Sequence, residues 1–379
     1  MPTSLQLSKC YVLYLLFIFT PIAIALEFIH VSHIVIFVIS SIALIPLAKL
    51  IGDSTEQLSL HYGSTLGSLL NVTFGNAAEI IIAIVAINAG LIDLVKASIT
   101  GAILGNILLI FGLSILVGGF RYKEQCFGQQ NVGLQSSMLF LAIIGLAIPT
   151  ILVNTFNVKG IDTSIENQPN VLIVSDILAF LLLAVYIAGI IFTFFTHKHL
   201  FSAQSYSNNK KDQKEAESKK EKHGTVVWTK KKSFLLLGLS MAGVIVVSEM
   251  LVGSVEATAK QFGFGELFVG AIIIGIVGNA AEHSSAIVLA RKGKIELSIG
   301  IAAGSGTQIA LFVVPILVIA GIIMNQPFSL VFTLFELVTI FLAAIILNLI
   351  ARDGTSNWFE GIMLTFVYII IAVGFFFIK

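Results

Sequence analysis

Eleven apolar runs, each long enough to cross a lipid bilayer, constrain this chain more than any other feature. A spanning helix needs about 20 mostly apolar residues. Runs of that kind occupy 10–28, 32–51, 66–89, 94–119, 131–153, 171–197, 233–256, 266–290, 295–323, 329–350 and 357–378, here segments a to k. Membrane β-strands would read as runs of about ten residues that alternate apolar and polar; 234–247 and 343–350 show no alternation. The sequence predicts an all-α polytopic membrane protein with 11 transmembrane helices. Of the 379 residues 57% are hydrophobic and 11% are charged. Soluble domains carry about 25% charged residues, so a soluble globule could not be clothed. Disorder needs low hydrophobicity and is excluded over most of the chain. Lys+Arg (22) and Asp+Glu (21) leave a net charge of +1 and no basic excess for nucleic acid. Two cysteines, Cys10 and Cys126, make no disulfide framework.

Loop charges orient the spans, because Lys and Arg concentrate on the cytoplasmic side. If the long loop 198–232 is cytoplasmic, that side holds 18 basic residues, among them Lys9, Lys49, Arg121, Arg291 and Arg352. The other side holds 4: Lys96, Lys159, Lys260 and Lys379. The expectation is a cytoplasmic N-terminus and an external C-terminus. Segment a, with Lys9 ahead of it and Ala23-Ile24-Ala25 near its end, also loosely resembles a signal peptide. A retained helix is the reading adopted, since a polytopic protein needs no cleavage. Residues 202–232 are rich in Lys, Glu, Ser, Asn and Gln and read as a linker; a regulatory ion-sensing role is the alternative.

The linker separates two copies of one motif. Gly75-Asn76-Ala77-Ala78-Glu79 lies in segment c and Gly278-Asn279-Ala280-Ala281-Glu282 in segment h, identical and 203 positions apart. Downstream, Ser98-Ile99 pairs with Ser298-Ile299 and Asn106-Ile107 with Gln308-Ile309. Each motif falls in the second of five spans, b–f and g–k. Five is odd, so the second copy must be inverted in the membrane, and inverted repeats meet around a site at the midplane. The expected organisation is an N-terminal helix (1–30), a first five-helix repeat (31–198), a cytoplasmic linker (199–232) and a second, inverted repeat (233–379).

A carboxylate in mid-span costs about 2.5–3.5 kcal/mol on insertion scales and marks a functional site. Asn76 and Glu79 share a helix face, as do Asn279 and Glu282. If the faces meet, they offer two carboxylates and two amides, all oxygen ligands. Hard cations such as Ca²⁺ take six to eight oxygens. Soft ligands are scarce, with His283 the only histidine beside the motif, so Zn²⁺ and Cu⁺ fit poorly. Gly75 and Gly278 can permit unwinding that frees carbonyls for the ion, or serve close helix packing. Taking a carboxyl out of water favours its neutral form. An empty site would hold protons that a divalent cation must displace, and a site that takes metal or protons but not both is the core of an antiporter.

These residues resemble the two signature repeats of the Ca²⁺/H⁺ exchangers, of the Ca²⁺/cation antiporter superfamily. The resemblance runs from about 30 to 379 and is strongest at 47–58, 247–282 and 304–311. It implies a secondary active antiporter exchanging Ca²⁺ for H⁺ by alternating access, with Ca²⁺ as transported substrate and no cofactor. It implies that Glu79 and Glu282 bind cation or protons, that Asn76, Asn279 and Ser305 line the site, that Gln308 and Asn106 lie close by, and that His283 tunes selectivity or proton coupling. Two departures stand out. The family often has Gly-Ser where this chain has Gly101-Ala102, and its inter-half loop is often acidic where this one mixes Lys with Glu.

Other polar residues have plain structural readings beside functional ones. Glu56, Glu249 and Glu256 flank the site helices, as a ring that attracts cations or relays protons, or as solvated helix ends. Asp176 and Glu336 are placed to snorkel outward. Pro21, Pro46 and Pro315 read as kinks, and His30, His33 and His61 as structural. Gly304-Ser305-Gly306 faintly suggests a serine protease, but no histidine base follows Ser305 and no HExxH motif is present; the chain reads as no enzyme. The nearest alternative is a Na⁺/H⁺ or K⁺/H⁺ antiporter of the same superfamily. The partners expected are the two ions and the bilayer, with oligomeric state open, a homo-oligomer included. The short tails favour a prokaryotic plasma membrane.

Overall fold

A computed structural model describes residues 15–29, 31–62, 64–158, 169–197 and 227–378. Lys9, Cys10, His30, Lys159, Lys379 and linker residues 199–226 lie outside the described residues. The described chain is almost wholly helical. In order the helices are α1 (Leu16–Phe28), α2 (His33–Tyr62), α3 (Ser64–Phe74), α4 (Ala77–Asn88), α5 (Ile92–Gly119), α6 (Gln129–Val158), α7 (Pro169–Thr196), α8 (Lys230–Phe262), α9 (Glu266–Gly278), α10 (Ala280–Arg291), α11 (Ile295–Ile323), α12 (Leu334–Ala351) and α13 (Trp358–Phe377). Eight of these are long and apolar enough to cross a membrane, and up to nine if α9 and α10, bent by 59° at their junction, form one span. The shorter apolar helices are α1 and α4.

Segments c and h are the two that break, and they break at the motif asparagines. Asn76 has φ −94° and ψ 19°, and Asn279 has φ −94° and ψ 6°, both off the helical well. A 12-residue helix follows each break, α4 after Asn76 and α10 after Asn279. Segment boundaries also move. At about 1.5 Å per residue, α2 (30 residues) and α8 (33 residues) are roughly 45–50 Å long, well beyond a hydrocarbon core of about 30 Å. They form the most extensive helix pair and extend together past the expected limit at 51. There Gln57 Oε1 accepts from Val227 N (2.9 Å) and Trp228 N (3.2 Å), and His61 Nε2 bonds Trp228 O (2.8 Å).

Segment j starts later than expected. Residues 325–333 are non-helical although Phe328, Leu330 and Phe332 are buried. Their backbone finds side-chain partners, as buried backbone must: Leu330 N donates to Ser175 Oγ (3.0 Å) and Phe332 N to Thr150 Oγ1 (2.9 Å). Thr333 and Glu336 then form a capping box that opens α12.

Loops collect at two ends. At one, β1 (Gln125–Cys126) pairs antiparallel with β2 (Thr355–Ser356), and Gln129 Nε2 donates to Arg352 O (2.9 Å). At the other, Lys96 Nζ donates to Ser329 Oγ (3.4 Å) and the Phe264 and Phe376 rings meet at 5.8 Å. Near this second end α5 and α9 touch backbone to backbone. A Cβ on Gly101 would lie 1.8 Å from Ala271 O, and one on Gly270 would lie 2.7 Å from Ala97 Cβ. Small residues allow such an approach, and here only glycine does.

Candidate cation site

The two breaks face each other. A Cβ on Gly278 would lie 3.7 Å from Glu79 Cγ, and one on Gly75 would lie 3.8 Å from Glu282 Oε1. Each motif's glycine thus borders the other motif's carboxylate, and the two carboxylates interact electrostatically. Because each glutamate sits in the first turn of a short helix, both are near positive dipole ends, where negative charge is favoured.

The amides cross over in the same reciprocal way. Asn76 Nδ2 donates to Gln308 Oε1 (2.9 Å), first motif to second half. Asn106 Nδ2 donates to Asn279 Oδ1 (3.1 Å) and to Ser305 Oγ (3.2 Å), first half to second motif. Asn279 Nδ2 in turn donates to Gly275 O (3.0 Å). The Nδ2 groups of Asn76, Asn106 and Asn279 are therefore all spent on protein acceptors. What is left over is oxygen. Asn76 Oδ1, Glu79 Oε2, Asn106 Oδ1 and Glu282 Oε2 are buried atoms with no hydrogen-bond partner. Buried polar atoms are normally paired, and four spare acceptors around two carboxylates call for a ligand that supplies positive charge. Among the described residues no three His, Cys, Asp or Glu side chains converge. Ligands beyond the carboxylates must be amide, hydroxyl or backbone oxygens, the set that hard cations prefer.

The wider approach to the carboxylates lies on one side. A cavity of about 820 Å³ reaches Glu79 and Glu282 between α2, α3 and α10, past Lys49, Asp53, Glu56, Asn71 and Ser285. On the opposite side of Glu79 the space shrinks to about 30 Å³, walled mainly by apolar residues such as Ile82, Ile99, Ile274 and Val313. That volume holds one or two waters. The tight contact of α5 on α9 borders this smaller space.

The structure brings Glu79, Glu282, Asn76, Asn279, Ser305, Gln308, Asn106, Gly75 and Gly278 together. His283 is 6% exposed, with Nε2 unpartnered, and its Cε1 would lie 3.8 Å from a Cβ on Gly105, next to Asn106. Glu56 is at the cavity rim. Glu249 and Glu256 are exposed and line neither cavity, and Glu256 pairs with Lys260 at 3.7 Å on its own helix. Glu336 does not snorkel. It is 1% exposed, caps α12, and accepts from Thr100 Oγ1 (3.3 Å). Asp176 is half-buried. Ala102, where the family often carries a hydroxyl, lines the small cavity beside Glu79 and offers no ligand there. Sequence reasoning missed Lys49, Asp53, Asn71 and Ser285. The signal was available for some: Ser285 is i+3 from Glu282, and Asn71 is i−4 from Gly75.

Comparison with known proteins follows the same residues. A family model described as sodium/calcium exchanger protein matches 32–195 and 232–377, one block on each side of the linker. The chain is 40% identical over 380 residues to a Ca(2+)/H(+) antiporter of Aphanothece halophytica, covering 98% of each chain. It is 39% identical over 358 residues to the Ca(2+)/H(+) antiporter ChaA of Bacillus subtilis (strain 168), covering 94% of this chain and 96% of that one. Its structure is similar to that of native YfkE, with a TM-score of 0.78 at 36% identity over 96% of this chain and 99% of that chain.

Proposed function

Since the chain belongs to the sodium/calcium exchanger protein family, we propose that Glu79 and Glu282 are the point at which it trades one cation for protons. The protein exchanges Ca²⁺ for H⁺ across a membrane, with Ca²⁺ as the transported substrate and no cofactor. The observation that carries the site assignment is the set of four unpartnered oxygens, two of them on the carboxylates Glu79 and Glu282 that the large cavity reaches. Neutral, protonated carboxyls satisfy that pocket when it is empty. A divalent cation needs both ionised and brings the charge that compensates them. Metal and protons therefore exclude one another without any further coupling device. Asn76, Asn279, Asn106, Gln308 and Ser305 form a hydrogen-bonded frame beside the carboxylates and supply neutral oxygens. His283 stands beside them as a tuning group. Glu56 faces arriving cations at the rim, whereas Glu249 and Glu256 fall outside this site.

The rest of the reading is architectural. Eleven spans, with segment a retained, form one N-terminal helix and two inverted five-helix repeats, divided at 30/31, 198/199 and 232/233. The reciprocal glycine–carboxylate and amide contacts support this, since a two-fold relation between the motifs makes each the mirror of the other's environment. The N-terminus and linker face the cytoplasm of a prokaryotic cell and the C-terminus faces outward, so the open cavity is the cytoplasmic one. Alternating access then closes α3 and α10 over the ion and parts α5 from α9.

Proteoliposomes with an internal pH dye test the reading. Ca²⁺ added outside should release protons from acid-loaded vesicles in the absence of Na⁺ and K⁺, and Glu79→Gln and Glu282→Gln should each abolish the signal. Undiminished exchange in either variant sinks the assignment, and exchange driven only by Na⁺ or K⁺ would favour the sibling antiporter.

A further inference from the structure

The four amides of the site tie the two halves together, and both ties run the same way. Asn76 Nδ2 donates to Gln308 Oε1 (2.9 Å), and Asn106 Nδ2 donates to Asn279 Oδ1 (3.1 Å). In each bond the donor belongs to the first half and the acceptor to the second. A third bond fixes Asn279 in this sense. Its Nδ2 donates to Gly275 O (3.0 Å), a carbonyl that can only accept, which leaves Oδ1 to meet Asn106. The consequence falls on the spare oxygens. Asn76 Oδ1 and Asn106 Oδ1 are buried without a partner, whereas Asn279 Oδ1 and Gln308 Oε1 each already face an N–H. The neutral amide oxygens left over for a cation thus come from the first half.

The pairs themselves obey the duplication. The relation that carries Asn76 onto Asn279 and Asn106 onto Gln308 turns the pair Asn76–Gln308 into the pair Asn279–Asn106. It also reverses the bond. The counterpart of Asn76 donating to Gln308 is Asn279 donating to Asn106, and the opposite is observed. Bond direction therefore departs from the two-fold relation, as do the unequal cavities around Glu79. In an inverted repeat, the form that faces the other compartment is the one in which the halves exchange roles. Every amide carries both a donor and an acceptor, so both bonds can reverse with neither lost.

We propose that the direction of these amide bonds switches with the facing of the site. With the large cavity open, Asn76 and Asn106 donate across and turn their oxygens to the ion. With the other side open, Gln308 donates to Asn76 and Asn279 to Asn106, and the neutral ligands become Gln308 Oε1 and Asn279 Oδ1. Each of the four is a ligand in one setting and a positioning residue in the other. This rests on the reading of Glu79 and Glu282 as the ion site and of the halves as inverted repeats.

The test biases one setting against the other in the purified full-length protein, in calcium-free buffer at about pH 9, far above the ordinary carboxyl value of about 4. Ser285→Cys reports on the large cavity and Ser98→Cys on the small space beyond Glu79, each with Cys10 and Cys126 replaced by serine. The ratio of the two thiol-labelling rates, Ser98→Cys over Ser285→Cys, follows the equilibrium between the two facings. An ionised carboxylate accepts and cannot donate. Gln308→Glu and Asn279→Asp keep the observed direction and forbid its reverse, so the ratio should fall about tenfold, the effect of roughly one hydrogen bond. Asn76→Asp and Asn106→Asp forbid the observed direction, and the ratio should rise by a similar factor. All four variants add the same single charge. No shift, a shift of one sign in all four, or shifts grouped by pair instead of by half overturns the inference. A Ca²⁺-bound structure with the large cavity open is the second measurement and needs no substitution. Asn76 Oδ1 and Asn106 Oδ1 should face the ion, directly at about 2.3–2.6 Å or through one water. Contact by Asn279 Oδ1 or Gln308 Oε1 in their place overturns the proposal. An ion held away from Glu79 and Glu282 would overturn the site reading, while the labelling ratios still judged the amides.

Discussion

The proton cost of binding calcium can be counted from the site. Glu79 and Glu282 are the two carboxylates at the inner end of the cavity, and among the described residues no third acidic, His or Cys side chain joins them in one cluster. With the ion held by these two groups as proposed, one Ca²⁺ should displace two carboxyl protons. In the pH range where both carboxyls are protonated, the apparent dissociation constant rises with the square of the proton concentration. That is about a hundredfold per pH unit, or ~2.7 kcal/mol at 1.36 kcal/mol per proton per unit. Glu79→Gln or Glu282→Gln leaves one titrating carboxyl, and the dependence should fall to about tenfold per unit, ~1.4 kcal/mol. The sign is fixed by the competition: acid weakens calcium binding, alkali strengthens it, and the slope vanishes once both groups are ionised. Calcium titrations of the purified protein across a pH series, by calorimetry, measure the slope directly. A slope of two surviving in either variant would falsify the two-carboxylate count, because another group would have to carry the second proton. His283, buried and with Nε2 unpartnered, would then be the first residue to examine.

Three further outcomes follow from the packing. Gly101→Val drives a side chain into Ala271 O, which stands 1.8 Å from where Cβ would be, so overpacking of about 1–3 kcal/mol or more should lower the thermal midpoint, while Gly304→Ala, with open space around its Cβ inside a helix, should keep or raise it. Asn106→Ala removes the donor shared by Asn279 Oδ1 and Ser305 Oγ, and should cost about 1–3 kcal/mol in denaturant unfolding together with a weaker calcium affinity. Glu336→Ala opens the capping box of α12 and strips Thr100 of its acceptor; a loss of about 1–3 kcal/mol should appear in stability, with the pH slope of calcium binding unchanged.

The membrane class and the key residues were readable from the chain because each leaves a local signature. An apolar run of bilayer length needs no partner to be recognised, and a glutamate inside one is costly enough to announce itself. The identical pentapeptides carried the juxtaposition of Glu79 with Glu282, since a duplicated motif in an odd-numbered repeat has only one way to meet itself. What escaped depends on tertiary context. The Thr333-Leu334-Phe335-Glu336 pattern does mark a helix start at Leu334, but the apolar residues Leu330, Val331 and Phe332 ahead of it extend the hydrophobic run and mask it. Their backbone is held open by Ser175 and Thr150, both more than 150 positions away. Glu336 was misjudged for a related reason. Its distance from the segment end suggested a reach to solvent, whereas the late start of α12 puts it in a first turn, with Thr333 to cap. Lys49 and Asp53 read as an ordinary helix-end pair until the cavity beside them is known. Glu249 and Glu256 lie on α8 within reach of the site by sequence, but the helix turns them away from both cavities.

The unequal size of the two cavities has an electrical consequence. A solvent-filled opening of about 820 Å³ sits at the potential of the compartment it joins, so almost no membrane voltage falls along it. The field is concentrated instead in the thin apolar plug around the 30 Å³ space beyond Glu79. A divalent ion crossing that plug alone works against about 4.6 kcal/mol per 100 mV, at 2.3 kcal/mol per elementary charge. Two returning protons recover the same amount. The two ionised carboxylates cross the field with the ion and cancel its charge, and the two protons neutralise them on the return, so reorientation of either loaded form should displace almost no charge and the exchange rate should be insensitive to membrane voltage.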